Sequence, residues 1–112
     1  MSAEDIQVEP RWISVYVLLV GLAAESTRPI SYGQLATILR VMQGRGCHRR
    51  HVGGMLRKVT EHTTFKGEPD LTAYVVGKDD KPGVGWPGWK LGSDPVLARK
   101  TAHAYFREEV WG

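Results

Sequence analysis

The sequence holds a single cysteine, Cys47. No internal disulfide can form, which excludes a disulfide-stapled secreted scaffold and fits a reducing compartment. A cytoplasmic location is therefore expected. A long apolar run is also missing. The longest, from Trp12 to Ala24, falls short of the roughly 20 residues that span a bilayer. No basic segment precedes an apolar stretch with a cleavage-like site, so no signal peptide is expected. Internal repeats and low-complexity segments are absent as well. Charge of one sign is scarce: the net charge is only +3. That value is compatible with a nucleic-acid partner but does not by itself call for one.

What is present is an ordinary globular balance, 42% hydrophobic and 24% charged residues in 112, enough for one small core. Residues 1–11, with Glu4, Asp5 and Glu9, read as a flexible lead-in. Residues 12–111 read as a single domain. The cations are unevenly placed. Arg45, His48, Arg49, Arg50, His51, Arg57 and Lys58 crowd one stretch, while the acidic residues lie mostly elsewhere.

Trp12 to Glu25 is apolar almost all round, and its length favours a helix over a strand. Such a helix should be buried on more than one side, against the core and a second subunit. Thr27-Arg28-Pro29-Ile30 breaks it and adds a short extended segment. Ser31-Tyr32-Gly33-Gln34 is a capping box, with Leu35, Ile38, Leu39 and Met42 behind it at helical spacing. A third helix is predicted from Arg49 to about His62. Val52, Met55, Leu56 and Val59 form its apolar stripe, while Arg50, Gly54, Arg57 and Glu61 lie opposite. Gly53 and Gly54 each cost about 1 kcal/mol relative to alanine inside a helix. Two explanations stand open: close approach of another molecule, or relief of crowding against a neighbouring helix.

Further on, Leu71 to Val76 alternates like a strand, Lys78-Asp79-Asp80-Lys81-Pro82-Gly83 supplies a turn, and Trp86 to Leu91 can return as the partner. Asp94-Pro95 marks a final helix start, with aspartate as cap and proline in the first turn.

The order helix, helix, turn, basic helix, hairpin, helix resembles the winged helix-turn-helix superfamily. The residues that carry the resemblance are Ile30-Ser31-Tyr32-Gly33-Gln34-Leu35-Ala36, His51-Val52-Gly53-Gly54-Met55-Leu56 and Leu71-Thr72-Ala73-Tyr74-Val75-Val76. The first two segments are also similar to the "TYGQ-x-A" and "VG-x-x-L" helices in the DNA-binding domain of alkylguanine-DNA alkyltransferases and their inactive relatives. The active-site signature of that family, Pro-Cys-His-Arg, follows the second helix. Here Cys47-His48-Arg49 precedes it, with Gly46 in place of proline, so the alkyl-accepting chemistry does not carry over.

The resemblance implies an α+β winged helix fold with a small antiparallel hairpin, and duplex DNA as the partner. On that reading Arg49, Arg50, Arg57 and Lys58 face the major groove, and Gly53 and Gly54 permit close approach. Arg45 and His48 touch backbone phosphates, and Lys78 and Lys81 reach out from the wing. Asp79 and Asp80 cancel the charge of those two lysines. A homodimer is expected, because the first and last helices offer more apolar surface than one small core needs. The alternative is a protein-interaction module of the same topology that inhibits or tethers a larger partner.

Other constellations point to no enzyme, no metal and no cofactor. Cys47, His48, His51 and His62 lack the paired spacings of a structural zinc site, and Cys47 has no general base placed beside it by a motif. Gly83-Val84-Gly85-Trp86-Pro87-Gly88 matches a dinucleotide fingerprint in its glycines only, since proline interrupts it and no helix follows directly. Trp86 and Trp89 read as a local core anchoring the loop on the last helix, with an exposed stacking surface as the other reading.

Overall fold

The structure is a computed structural model, and it describes residues 11–43 and 49–112. The lead-in, apart from Arg11, lies outside the described residues. Within them the elements run α1 (Arg11–Glu25), β1 (Ile30–Ser31), α2 (Tyr32–Gln43), α3 (Arg49–Lys66), a 3-10 turn (Thr72–Tyr74), β2 (Val75–Val76), a second 3-10 turn (Pro87–Trp89) and α4 (Pro95–Trp111).

Helix α1 buries Val15, Leu19 and Ala23 completely, one residue per turn down a single side. Val17, Gly21 and Glu25 form an exposed stripe, so the helix is not covered all round. It packs chiefly on α4, whose Ala102 and Phe106 join the same core cluster. Each fully buried leucine or phenylalanine there contributes about 1.5–3 kcal/mol by leaving water.

The capping box before α2 forms as the sequence predicts. The amide of Gln34 donates to Ser31 Oγ at 3.0 Å, and the amide of Ser31 donates to Gln34 Oε1 at 3.0 Å. Behind it Leu35, Ala36 and Leu39 are buried. Helix α3 runs four residues beyond the predicted His62. It buries Val52, Leu56, Val59 and Thr63 and stops where the backbone turns left-handed at Gly67, φ 70°. There the amide of Glu68 donates to the carbonyl of Thr63 at 2.8 Å and that of Gly67 to Thr64 at 3.2 Å. This paired closure satisfies carbonyls left over at a helix end, and it favours glycine at the left-handed position. The start of α4 is also as predicted, with Asp94 Oδ1 accepting from the Val96 amide at 3.0 Å.

The hairpin is not there, and with it the winged-helix assignment is overturned. The two-stranded sheet is parallel, pairing Ile30 with Val75 and Ser31 with Val76. The physical reason lies at both ends of the expected strand pair. Asp70 Oδ1 accepts from the Thr72 amide at 2.9 Å and from the Thr72 hydroxyl at 2.7 Å, a local closure that starts a helical turn instead of a strand. On the return side, Pro87 has no amide to give a ladder. The ring of Trp86 folds over Gly88, where any Cβ would clash with it. Residues Trp86 to Leu91 therefore curl into the second 3-10 turn. The fold is helical, with one short parallel bridge tying the segment before α2 to the segment after α3.

Two side chains lock this arrangement from within. Arg99, only 8% exposed, donates through Nε to the carbonyl of Thr27 and through Nη1 to that of Ala73, both at 3.1 Å. The hydroxyl of Tyr74 lies 2.6 Å from the carbonyl of Ser26 and 3.2 Å from that of Arg99. Together they join α4, the end of α1 and the 3-10 turn. No helix among the described residues is long and apolar enough to cross a membrane.

Candidate functional site

Helix α3 divides into a buried stripe and an outer face. On that outer face Gly53, Gly54, Arg57, Lys58 and Glu61 are exposed. A Cβ added at Gly53 or Gly54 would meet no described atom within 4 Å. Relief of crowding inside the described fold therefore does not explain the two glycines. They leave a smooth, open strip of backbone in the second turn of an 18-residue helix.

Arg57 and Lys58 follow that strip by three and four residues. Among the described residues the ion pair is Lys66 with Glu68, at 4.0 Å, so neither Arg57 nor Lys58 is in direct contact with a carboxylate there. Arg49 and Arg50 belong to the first turn of the same helix, whose described side chains begin at Val52. Arg45 and His48 lie outside the described residues.

Beside this face, the segment that the sequence casts as a hairpin forms a fixed loop. Gly77 and Lys81 close on each other, the amide of Gly77 donating to the carbonyl of Lys81 at 2.9 Å. Asp80 takes the left-handed position at φ 58°, which aspartate tolerates in turns. Asp79 Oδ1 accepts from the Lys81 amide at 3.2 Å. Lys78 and Lys81 are exposed at this turn.

Farther along, the Gly83 amide donates to the Tyr32 hydroxyl at 3.3 Å, and Trp89 Nε1 donates to the carbonyl of Gly83 at 2.9 Å. Gly83 is constrained, because a Cβ there would come within 2.8 Å of that hydroxyl. Trp86 is buried and donates through Nε1 to Asp70 Oδ2 at 2.6 Å. Its ring meets that of Trp89 edge-on, centroids 5.0 Å apart. Trp86 is thus a buried local anchor, but its hydrogen bond goes to Asp70 and not to the last helix that the core reading names. Trp89 stays 39% exposed.

Between the loop and α3 lies a cleft of about 800 Å³. Gly53, Leu56, Arg57, Thr60, Glu61, Thr64 and Phe65 form its α3 wall. Tyr32 and the Pro82–Pro87 loop form the other. Nothing in the sequence pattern marked this cleft. The one signal available was the Gly/Pro-rich spacing of two tryptophans, which a hairpin reading absorbs. Phe65 also escaped notice, since it lies past the predicted end of the helix, yet it stands 90% exposed at the cleft.

His62 takes no part in the exposed face. Its ring sits 5.3 Å from that of Trp12 and 4.6 Å from that of Tyr16, packing α1 against α3. The side chain of His51 lies outside the described set, as do Cys47 and His48. No group of three potential metal ligands occurs among the described residues.

Tyr16, next to His62, donates to Glu68 Oε1 at 2.8 Å. Burial first, and this bond to a carboxylate second, hold its phenol proton on well above the ordinary range. Neither group lines the cleft beside α3. Comparison with protein families, with curated proteins and with solved structures finds no match to the chain.

Proposed function

We propose that the chain binds duplex DNA through the outer face of α3, acting as a small regulatory or accessory protein. The observation that carries this reading is the open glycine strip followed by two cations without carboxylate partners. An α-helix fits the major groove of B-DNA, and side chains removed from its outer face let the backbone lie closer to the base edges. Arg57 then makes paired bonds to a guanine edge, and Lys58 meets a phosphate. Glu61, one turn on, opposes phosphate, so the contacting part of α3 ends before it. The reading does not need a wing. Lys78 and Lys81 contribute less, because Asp79 and Asp80 share their turn.

The test is an electrophoretic titration of the double variant Arg50→Ala, Arg57→Ala on random duplexes. Duplex binding is expected to vanish while far-ultraviolet circular dichroism shows an unchanged helix content. Affinity equal to that of the parent would end the proposal.

A second reading, docking to a larger protein, is favoured by one observation. Leu97 near the start of α4 and Trp111 at its end are 61% and 67% exposed, two apolar side chains that a partner could cover. The two readings separate on their response to salt.

A further inference from the structure

We propose that the cleft between α3 and the Pro82–Pro87 loop binds a small planar aromatic carboxylate. Its volume, about 800 Å³, lies within the range of small-molecule sites, roughly 300–1,000 Å³. The walls are mostly apolar, with Trp86 and the loop prolines facing Leu56 and Phe65. Such walls suit a flat ring.

The site is built in advance of any ligand. Gly83 is held by Tyr32 and Trp89, and Trp86 by Asp70, so little loop ordering is left to oppose binding. Phe65 and Val84, both almost fully exposed, flank the gap, and nothing among the described residues covers them.

Charge selects the ligand and its direction. Arg57 borders the cleft and has no carboxylate partner among the described residues, and a guanidinium matches a carboxylate in paired geometry. Glu61 lies four residues, about 6 Å, farther along the same wall. It repels an anion from that end and accepts a bond from a hydroxyl or ring N–H. The fitting compound therefore has a carboxylate at one end of an aromatic ring and a hydrogen-bond donor at the other. Because Arg57 also serves the proposed DNA face, the bound compound competes with duplex. That last consequence rests on the DNA-binding reading, whereas occupancy of the cleft does not.

The experiment titrates the full chain, without DNA, with 4-hydroxyphenylacetate and indole-3-acetate, followed by calorimetry. The neutral p-cresol and the cationic tyramine serve as comparisons. Saturable binding of the two acids is expected, at least tenfold tighter than p-cresol, and at least tenfold weakened in Arg57→Ala. A second variant, Val84→Asp, places an anion at the mouth and weakens the acids in the same way. The proposal is overturned if the acids fail to saturate at millimolar concentration, if p-cresol or tyramine binds as well as they do, or if Arg57→Ala leaves their affinity unchanged. Sedimentation of the parent as a dimer that Val84→Asp dissociates would assign the cleft to a second copy of the chain, and would also overturn it. Each measurement omits DNA, so its failure is separate from failure of the duplex titration.

Discussion

A phenol and a guanidinium carry much of the internal wiring of this small fold. Tyr74 is fully buried, and its hydroxyl approaches the carbonyls of Ser26 and Arg99. Burial disfavours its charged form and pushes its pKa from 10.0 up to about 12, with the nearby Arg99 pulling the other way. A raised pKa in the folded state means that stability is fully present below pH 10 and is lost as pH climbs toward 12. In that window the unfolded chain releases the proton and the folded chain keeps it.

The loss is on the order of 2 kcal/mol. Tyr16 has its pKa raised as well and adds to the loss in the same direction. Tyr74→Phe should therefore lower stability at pH 7 by about 1–2 kcal/mol, through the carbonyl left without its donor. It should also flatten the decline between pH 10 and 12. Urea titrations of both proteins at pH 7, 10 and 11.5 check this. A parallel decline in the two would assign alkaline sensitivity to other groups.

At the scale of elements, α3 carries two opposed requirements. Gly53 and Gly54 weaken it as a helix, by about 1 kcal/mol each relative to alanine, and no described atom needs the space they leave. Gly54→Ala should then raise the melting temperature while weakening duplex affinity, since the new methyl stands between backbone and groove. Calorimetry and an electrophoretic titration of the same preparation measure the two signs. A variant both more stable and equally tight would show that the strip contacts nothing.

This helix was largely legible in the sequence, because its stripe of Val52, Leu56 and Val59 repeats at helical spacing and fixes which side is outward. The capping box and Asp94-Pro95 were legible for a similar reason: each acts within a few residues of chain. The segment from Leu71 to Leu91 was not. Alternation at Leu71 to Val76 suits a strand, but the outcome is decided by Asp70 closing on Thr72 and Trp86. The second of those bonds joins residues sixteen apart. Nor can spacing show that Ile30 and Val75 pair in parallel across two helices. The cleft depends on those same long-range ties, so it stayed hidden with them.

Over the whole molecule a net charge of +3 is too small for attraction at a distance to account for tight DNA binding, so local cations must supply it. Four with described side chains belong to the proposed surface: Arg57, Lys58, Lys78 and Lys81. Each phosphate neutralised adds about 0.9 to the slope of log affinity against log salt. These four would therefore contribute about 3.6 if every one made contact. The position of Asp79 and Asp80 in the loop turn divides the four into unequal pairs. Lys58→Ala should reduce the slope by close to the full 0.9, while Lys81→Ala should reduce it by clearly less. Filter-binding between about 50 and 200 mM salt resolves a difference of that size. A protein-docking function centred on Leu97 and Trp111 predicts a different pattern, with partner capture indifferent to salt and to both substitutions. Equal reductions for Lys58 and Lys81 would instead place the loop turn on the phosphates as firmly as α3, and would move the centre of the interface away from the glycine strip.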